Sequence, residues 1–291
     1  MSKLGLGTVQ FGINYGINSE FGKVKLKEVV KILNFAHTKN INYLDTAPSY
    51  GDSEKVLGTS KKFDFKVVTK TRHFKNEHIT ERDLEFLDSD FNNSLLNLKC
   101  DNIYGLLVHN ANDLLKPGAE KLIERLVEYR NQGKLLKFGV SVYDPAQLKN
   151  ILNLFELDLV QLPLNILDNR MVETEMLTVL NQKGIEVHAR SVFLQGLLLM
   201  NRKDRPKKFD RWNRHWNIWH QWLEDNKLTA LEATIRYVVS FPEISKVFVG
   251  VDTLHQLKDI YDASKGFLPD VPRELSSDSS DLLNPFNWDS L

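Results

Sequence analysis

Residues 4–12 read Leu4-Gly-Leu-Gly-Thr-Val-Gln-Phe-Gly12, and the reading of this run decides between two α/β architectures. An open, doubly wound sheet often announces itself by Gly-x-Gly-x-x-Gly between its first strand and first helix. Gly5 and Gly7 supply the first half, but Gly12 comes five residues after Gly7, and no helical pattern directly follows. The glycines alone therefore read as a tight turn behind a strand at Leu4–Val9. Outward from this run, seven more short apolar stretches recur: Tyr43–Asp45, Lys66–Thr69, Ile103–Val108, Lys137–Ser141, Leu157–Gln161, Glu186–Arg190 and Lys246–Val249. Apolar residues on consecutive positions are expected of parallel strands buried on both faces. Amphipathic stretches lie between them, at Leu26–Thr38, Gly118–Gln132, Ala146–Leu154 and Val172–Lys183. In the second of these, Leu122, Leu126 and Tyr129 recur at helical spacing, while Glu124, Glu128 and Arg130 fall elsewhere. Eight β-then-α units in about 260 residues predict a closed (β/α)8 TIM barrel.

The chain has 291 residues, 42% of them hydrophobic, with 38 basic residues against 38 acidic. That length buries a core without disulfide or metal staples. The single cysteine, Cys100, excludes an internal disulfide and any zinc site built on several thiolates. Balanced charge argues against a nucleic-acid partner, no apolar run is long enough to span a membrane, and Met1–Leu6 lacks a secretory pattern. The expectation is a soluble, cytoplasmic protein of one domain. The barrel would occupy residues 1–272, with an Arg/Trp-rich insertion after the seventh strand and a C-terminal tail over residues 273–291.

Catalytic groups of such barrels sit at the carboxyl ends of the strands. Those positions hold Asp45, Lys70 and His109 after the second, third and fourth strands, with Tyr50 in the loop behind Asp45. One such residue is commonly structural; four ionisable side chains at successive strand ends are hard to explain as packing.

At these residues the chain resembles the aldo-keto reductase family. The likeness rests on Leu4-Gly-Leu-Gly-Thr8, on Leu44-Asp-Thr-Ala-Pro-Ser-Tyr-Gly51 followed by Ser53-Glu54 and Leu57-Gly58, and on Val68-Thr-Lys70 and Leu107-Val-His109. Gly139-Val-Ser141, Val160-Gln161 and Ser191 fit the later strand ends, so the likeness runs to about Lys265. It implies an NAD(P)H-dependent oxidoreductase that reduces, or reversibly oxidises, an aldehyde, ketone or sugar carbonyl. Tyr50 would be the general acid, assisted by Lys70, Asp45 and His109. The physical logic is independent of the family. A tyrosine of ordinary pKa is a sluggish acid and a poor base at neutral pH. A neighbouring ammonium, Lys70, would lower that pKa, Asp45 would hold Lys70 in place, and His109 would orient the carbonyl oxygen. The cofactor supplies hydride, and no metal is needed.

The resemblance assigns cofactor contacts to Gly7, Thr8, Ser141, Gln161, Arg190, Ser191, Gly250, Asp252, Thr253 and Gln256. Three positions depart from the family pattern. Val142 replaces an Asn that would bind the nicotinamide carboxamide. Arg190 stands where a Tyr usually stacks on the nicotinamide; a guanidinium can lie flat on a ring or bond a carboxylate. Asp252 falls where an Arg often clamps the 2′-phosphate, which points to relaxed NADPH selectivity, towards NADH. The alternative is that Asp252 faces solvent and NADPH preference persists, with Thr253, Gln256 and Lys258 as the clamp.

Trp212, Trp216, Trp219 and Leu223 draw one apolar stripe, read as a helix packed on the barrel's outer wall. The basic residues around it, from Arg202 to Arg214, could attract an anionic or sugar-derived substrate. His215 and His220 are not spaced for a metal. The tail, with Phe286 and Trp288, either folds over the mouth or, through its Ser276–Ser280 run, stays disordered. Tyr15 is a candidate substrate-side aromatic. Two other functional classes stay open: a non-enzymatic, redox-sensing barrel with bound nucleotide, and a dehydratase or epimerase that regenerates its cofactor.

Overall fold

The computed structural model describes residues 2–17 and 22–291; Met1 and residues 18–21 lie outside that description. Among the described residues, parallel strands close into a barrel in chain order. They are β1 (Leu4–Gly7), β2 (Tyr43–Asp45), β3 (Lys66–Lys70), β4 (Ile103–Val108), β5 (Leu135–Ser141), β6 (Leu159–Pro163), β7 (Glu186–Arg190) and β8 (Lys246–Gly250). Closure is made by β8 on β1, with Leu4 opposite Val247 and Gly7 opposite Gly250. The predicted (β/α)8 barrel is therefore the fold.

The boundaries move where side chains override pattern. β1 stops at Gly7, and Val9–Gly12 forms a single helical turn, so a turn of helix does follow the glycines. Phe11, wholly buried, draws that turn into the core. The predicted helix at 172–183 is two pieces, Arg170–Glu173 and Met176–Gln182. Glu175 between them adopts φ 56°, which turns Met176, Leu177 and Leu180 into the core. The Leu26–Thr38 helix has the predicted bounds.

Tyr43, Val68, Tyr104, Leu107, Leu159 and Phe248 fill the barrel. Below them Glu186 accepts bonds from Tyr104 Oη (2.6 Å) and Lys137 Nζ (2.5 Å) and pairs with His188 Nε2 (2.8 Å). The interior is thus solid, and the space for chemistry lies at the carboxyl-terminal mouth.

Trp216, Trp219 and Leu223 of the stripe are buried, with Trp222 added to them, on the helix Asn213–Asn226, and Trp212, also buried, ends the segment before it. That helix packs on the segment Lys207–Trp212 and on Arg273–Leu275 of the tail, and Trp222 Nε1 donates to Asp270 O at 2.9 Å. Several basic residues of the insertion are engaged there. Arg205 lies 4.1 Å from the Trp216 ring centroid, Lys208 Nζ donates to Trp288 O (2.6 Å), and Arg211 Nη1 sits 3.7 Å from Asp281. None of them lines the barrel mouth. The tail is ordered: Ser277 N donates to Leu167 O (2.8 Å), Trp288 is buried edge-on to Phe209, and Phe286 reaches the mouth. Among the described residues no helix is long and apolar enough to cross a membrane.

Candidate active site

A cavity of about 730 Å³ opens at the mouth of the barrel. Its walls come from the ends of the strands and the loops behind them, and include Asp45, Tyr50, Lys70 and His109. The register explains the convergence of the first of these. Asp45 ends β2 opposite Val68, and Lys70, two residues further along β3, ends that strand beside it.

Lys70 is buried, and its ammonium donates to Asp45 Oδ1 (2.6 Å) and to Thr46 O (3.0 Å). Gln161 Nε2 donates to the same Asp45 oxygen at 2.8 Å. The ammonium lies 5.0 Å from the centroid of the Tyr50 ring, and the Tyr50 and His109 rings meet nearly edge to face at 6.3 Å.

Burial holds the Tyr50 phenol above its ordinary value, Asp45 adds to this, and Arg190 is the cation that pulls it back. Lys70 is held by Asp45; burial brings its own pKa down, and the carboxylate opposes that shift. His109 is pulled down to about 4, chiefly by burial and then by Lys70. At neutral pH the site thus holds a protonated phenol, a neutral imidazole and an ion pair.

The loop carrying Tyr50 is fixed by residues of the same motif. Thr8 Oγ1 donates to Asp45 O (2.9 Å), Ser53 Oγ to Thr8 O (2.8 Å), and Thr69 Oγ1 to the buried Glu54 (2.7 Å). Thr8, expected to touch a cofactor, is fully buried in this network and does not line the cavity. Gly12 also has a local cause: a Cβ there would run into the carbonyl oxygen of Tyr50.

Gly7, Ser141, Gln161, Arg190, Ser191, Gly250, Asp252 and Gln256 do line the cavity. Ser141 and Gln161 are register partners across β5 and β6. Thr253 does not line it; it caps the helix Leu254–Ala263, its side chain accepting from Gln256 N at 3.2 Å. The Gln256 oxygen is turned back onto the N–H groups of Asp252 (2.6 Å) and Thr253 (3.3 Å). Asp252 is half-buried with Oδ1 shielded from solvent, and burial raises its carboxyl above the ordinary range.

Whether a dinucleotide fits can be asked of buried polar atoms without partners, which are costly unless something meets them. Among the described residues, Gln161 Oε1, Gln10 Oε1 and Asp252 Oδ1 are such atoms on residues that line the cavity. All three accept hydrogen bonds, as a carboxamide NH2 and ribose hydroxyls require. The residues present therefore fit a nicotinamide nucleotide, with Gln161 suited to its carboxamide and Asp252 to a ribose hydroxyl.

Sequence reasoning missed Gln10, Tyr143, Phe193 and Asp259 among the lining residues. Gln10 and Tyr143 stand two or three residues beyond strand ends, and that placement was their only signal. Tyr15, singled out in the sequence, lines the cavity, and its hydroxyl accepts from Gln195 Nε2 at 3.2 Å.

A parallel barrel whose strand ends gather Asp, Tyr, Lys and His around an acceptor-lined cleft defines a class of oxidoreductase-like barrels. The chain belongs to the aldo/keto reductase family, whose profile matches residues 3–271. It is 28% identical over 218 residues to an NADH-specific methylglyoxal reductase of Escherichia coli (strain K12), covering 68% of this chain and 65% of that protein. It is 27% identical over 190 residues to the aldo-keto reductase YhdN of Bacillus subtilis (strain 168), covering 60% of this chain and 53% of that one. These matches thus span under two thirds of either curated relative. Among solved structures, the holo form of aldo-keto reductase AKR11C1 from Bacillus halodurans superposes with TM-score 0.70 at 19% identity, over 92% of this chain and 88% of that one. The glycerol dehydrogenase AKR11B4 from Gluconobacter oxydans gives 0.68 at 20% identity, over 93% and 88%. At such identities these likenesses speak for the fold.

Proposed function

We propose that the protein is a nicotinamide-dependent carbonyl reductase acting on a small aldehyde, ketone or sugar carbonyl. Asp45, Tyr50, Lys70 and His109 are its catalytic residues. The observation that carries this reading is the buried Lys70–Asp45 pair, 2.6 Å long, with its ammonium 5.0 Å from the Tyr50 ring inside the cavity. The nucleotide supplies the hydride when bound. Tyr50, kept protonated by burial, gives its proton to the carbonyl oxygen as that oxygen gains charge. Neutral His109 would hydrogen-bond the same oxygen, and Lys70 would offer the charge against which a phenolate forms. Asp45, held by Lys70 and by Gln161, fixes the ammonium in position.

The nucleotide is NADH in preference to NADPH. Asp252 and Asp259 are the charged residues that line the cavity after β8, where a 2′-phosphate would be repelled by carboxylates. The relative in E. coli is named NADH-specific, which agrees. The test is a side-by-side fluorescence titration with NADH and NADPH at matched salt, repeated on Tyr50→Phe. NADH should bind at least tenfold more tightly than NADPH. The variant should bind NADH as the parent does while kcat drops by about 10²–10⁴-fold, the usual contribution of a positioned acid. Failure of both nucleotides to bind, or undiminished turnover by the variant, overturns the reading; a clear NADPH preference overturns the choice of nucleotide.

A further inference from the structure

Arg190 ends β7 inside the cavity with its charge unanswered. Among the described residues no carboxylate pairs with it within the 4.0 Å that defines an ion pair. Its guanidinium carries five N–H groups; Nη2 donates to Val142 O at 2.9 Å and Nη1 to Ser191 Oγ at 3.2 Å. One face is covered by the Tyr143 ring, 3.9 Å from Cζ to the centroid. A ring thus already stacks on it, and its remaining N–H groups meet no acceptor among the described residues.

The charges around it do not cancel this cation. Lys70 and Asp45 neutralise one another at 2.6 Å, and His109 and Tyr50 are both neutral at pH 7. The reactive end of the cavity therefore carries one net positive charge, and it sits on Arg190. That charge is felt by Tyr15, Tyr50, Lys70 and His109, each held lower by it. The basic residues of the Trp-rich insertion do not line the cavity and cannot serve in its place.

We infer that Arg190 anchors a carboxylate of the substrate, so that the compound reduced is a short oxo acid with its carbonyl at Tyr50. This rests on the reductase reading and names the substrate class for it. A planar guanidinium with N–H groups still to spare matches a carboxylate. A phosphate dianion would call for a second cation, and the other one lining this end, Lys70, is bound to Asp45. In the reaction, the carbonyl carbon receives hydride from NADH and the carbonyl oxygen receives the Tyr50 proton. The products are a hydroxy acid and NAD+, the carboxylate is unchanged, and Tyr50 regains its proton from water.

The experiment uses the full chain and two readouts. The first is calorimetric titration of the nucleotide-free protein with oxamate, a redox-inert carboxylate, and with neutral oxamide, for the parent, Arg190→Gln and Arg190→Lys. Oxamate should bind the parent at least tenfold more tightly than oxamide, and Arg190→Gln should weaken it about 10- to 100-fold, as for a lost charge-assisted bond. Arg190→Lys should fall between, keeping the charge without the fork. The second is the kcat/KM ratio with NADH for short oxo acids over their methyl esters, which should exceed ten in the parent and drop towards one in Arg190→Gln. If the parent reduces esters as well as acids, and oxamate binds no better than oxamide, the carboxylate anchor is refuted while the reductase reading stands. If neither acids nor esters are reduced and NADH does not bind, the reductase reading falls; Arg190-dependent oxamate binding would then still uphold the anion site.

Discussion

Replacing Asp45 by Leu would leave the Lys70 ammonium, 1% exposed at its side chain, without its counter-charge. At 2.6 Å the attraction lost is about 6 kcal/mol for an effective dielectric of 20. The lysine escapes by giving up its proton. Neutralising a group of unfolded pKa about 10.4 at pH 7 costs about 4.6 kcal/mol, which caps the loss from the charge. Breaking a buried pair from one side usually costs about 3–5 kcal/mol, in agreement. With an unfolding entropy near 2.1 cal/mol/K per residue, the melting point should fall by about 5–8 °C. The sign with pH follows from proton counting. A lysine depressed in the folded state binds fewer protons there than in the unfolded chain, so stability rises with pH between the two values. The charge part of the gap to the parent should therefore shrink to about 2 kcal/mol by pH 9, while the unmet Gln161 amide adds a part that does not change with pH. Adding Lys70→Met removes the charge altogether. What remains is an unmet Gln161 Nε2 and an unmet Thr46 carbonyl, worth about 1–3 kcal/mol and independent of pH. Melting curves of both variants between pH 6.5 and 9.5 decide the matter. A gap that does not change with pH, or a double variant no more stable than the single one, refutes the reasoning.

Two further expectations concern the same cavity. With His109 held near 4, the imidazole is neutral throughout the working range, so kcat/KM for reduction should show no inflection around pH 6.5; a break there that vanishes in His109→Gln would contradict its assigned state. Gly12→Ala would push a methyl group into the Tyr50 carbonyl and the Ser53 amide. It should cost about 1–3 kcal/mol of stability and, by moving Tyr50, lower kcat at least tenfold. A variant with parental kcat would show that this contact does not position the phenol.

The barrel was legible because its strands are buried on both faces, which writes them as short apolar runs whatever the helices do. Asp45, Lys70 and His109 were legible for a related reason, since a polar residue ending such a run has the barrel mouth to point into. Reading failed where the backbone had its own needs. Thr8 and Thr253 sit beside cavity residues in the sequence, yet the first ties β1 to β2 and the second caps a helix. Gln256 reaches the cavity with its oxygen already turned to that cap. No periodicity marks which hydroxyl a helix end will recruit. Gly12, read only as part of a tight turn, has a cause the sequence does not show, since it gives clearance to the Tyr50 carbonyl. The basic insertion suggested an anion site by composition, but its charges lie on Trp faces and hold the tail.

The assignment of charge within the site was legible only in part: Asp45 was expected to hold Lys70, and it does. A lysine beside a tyrosine suggests a lowered phenol, but the distances divide the roles differently. Asp45 takes up the Lys70 charge at hydrogen-bonding range while the phenol ring is 5.0 Å away. The phenol sits above its ordinary value, raised by burial and then by Asp45, with Arg190 as the opposing cation. For the proposed reaction this separation has a direction. Reduction needs the phenol protonated, which burial ensures throughout the neutral range. Oxidation needs the phenolate, which forms only as Lys70 or Arg190 meets the new negative charge. An anionic group held on Arg190 would cancel its share of that help, which leaves the phenol protonated but makes it a weaker acid. The substrate anchor and the acid are thus coupled through one guanidinium, and once an oxo acid occupies Arg190 the charge left on Tyr50 by proton donation falls to Lys70.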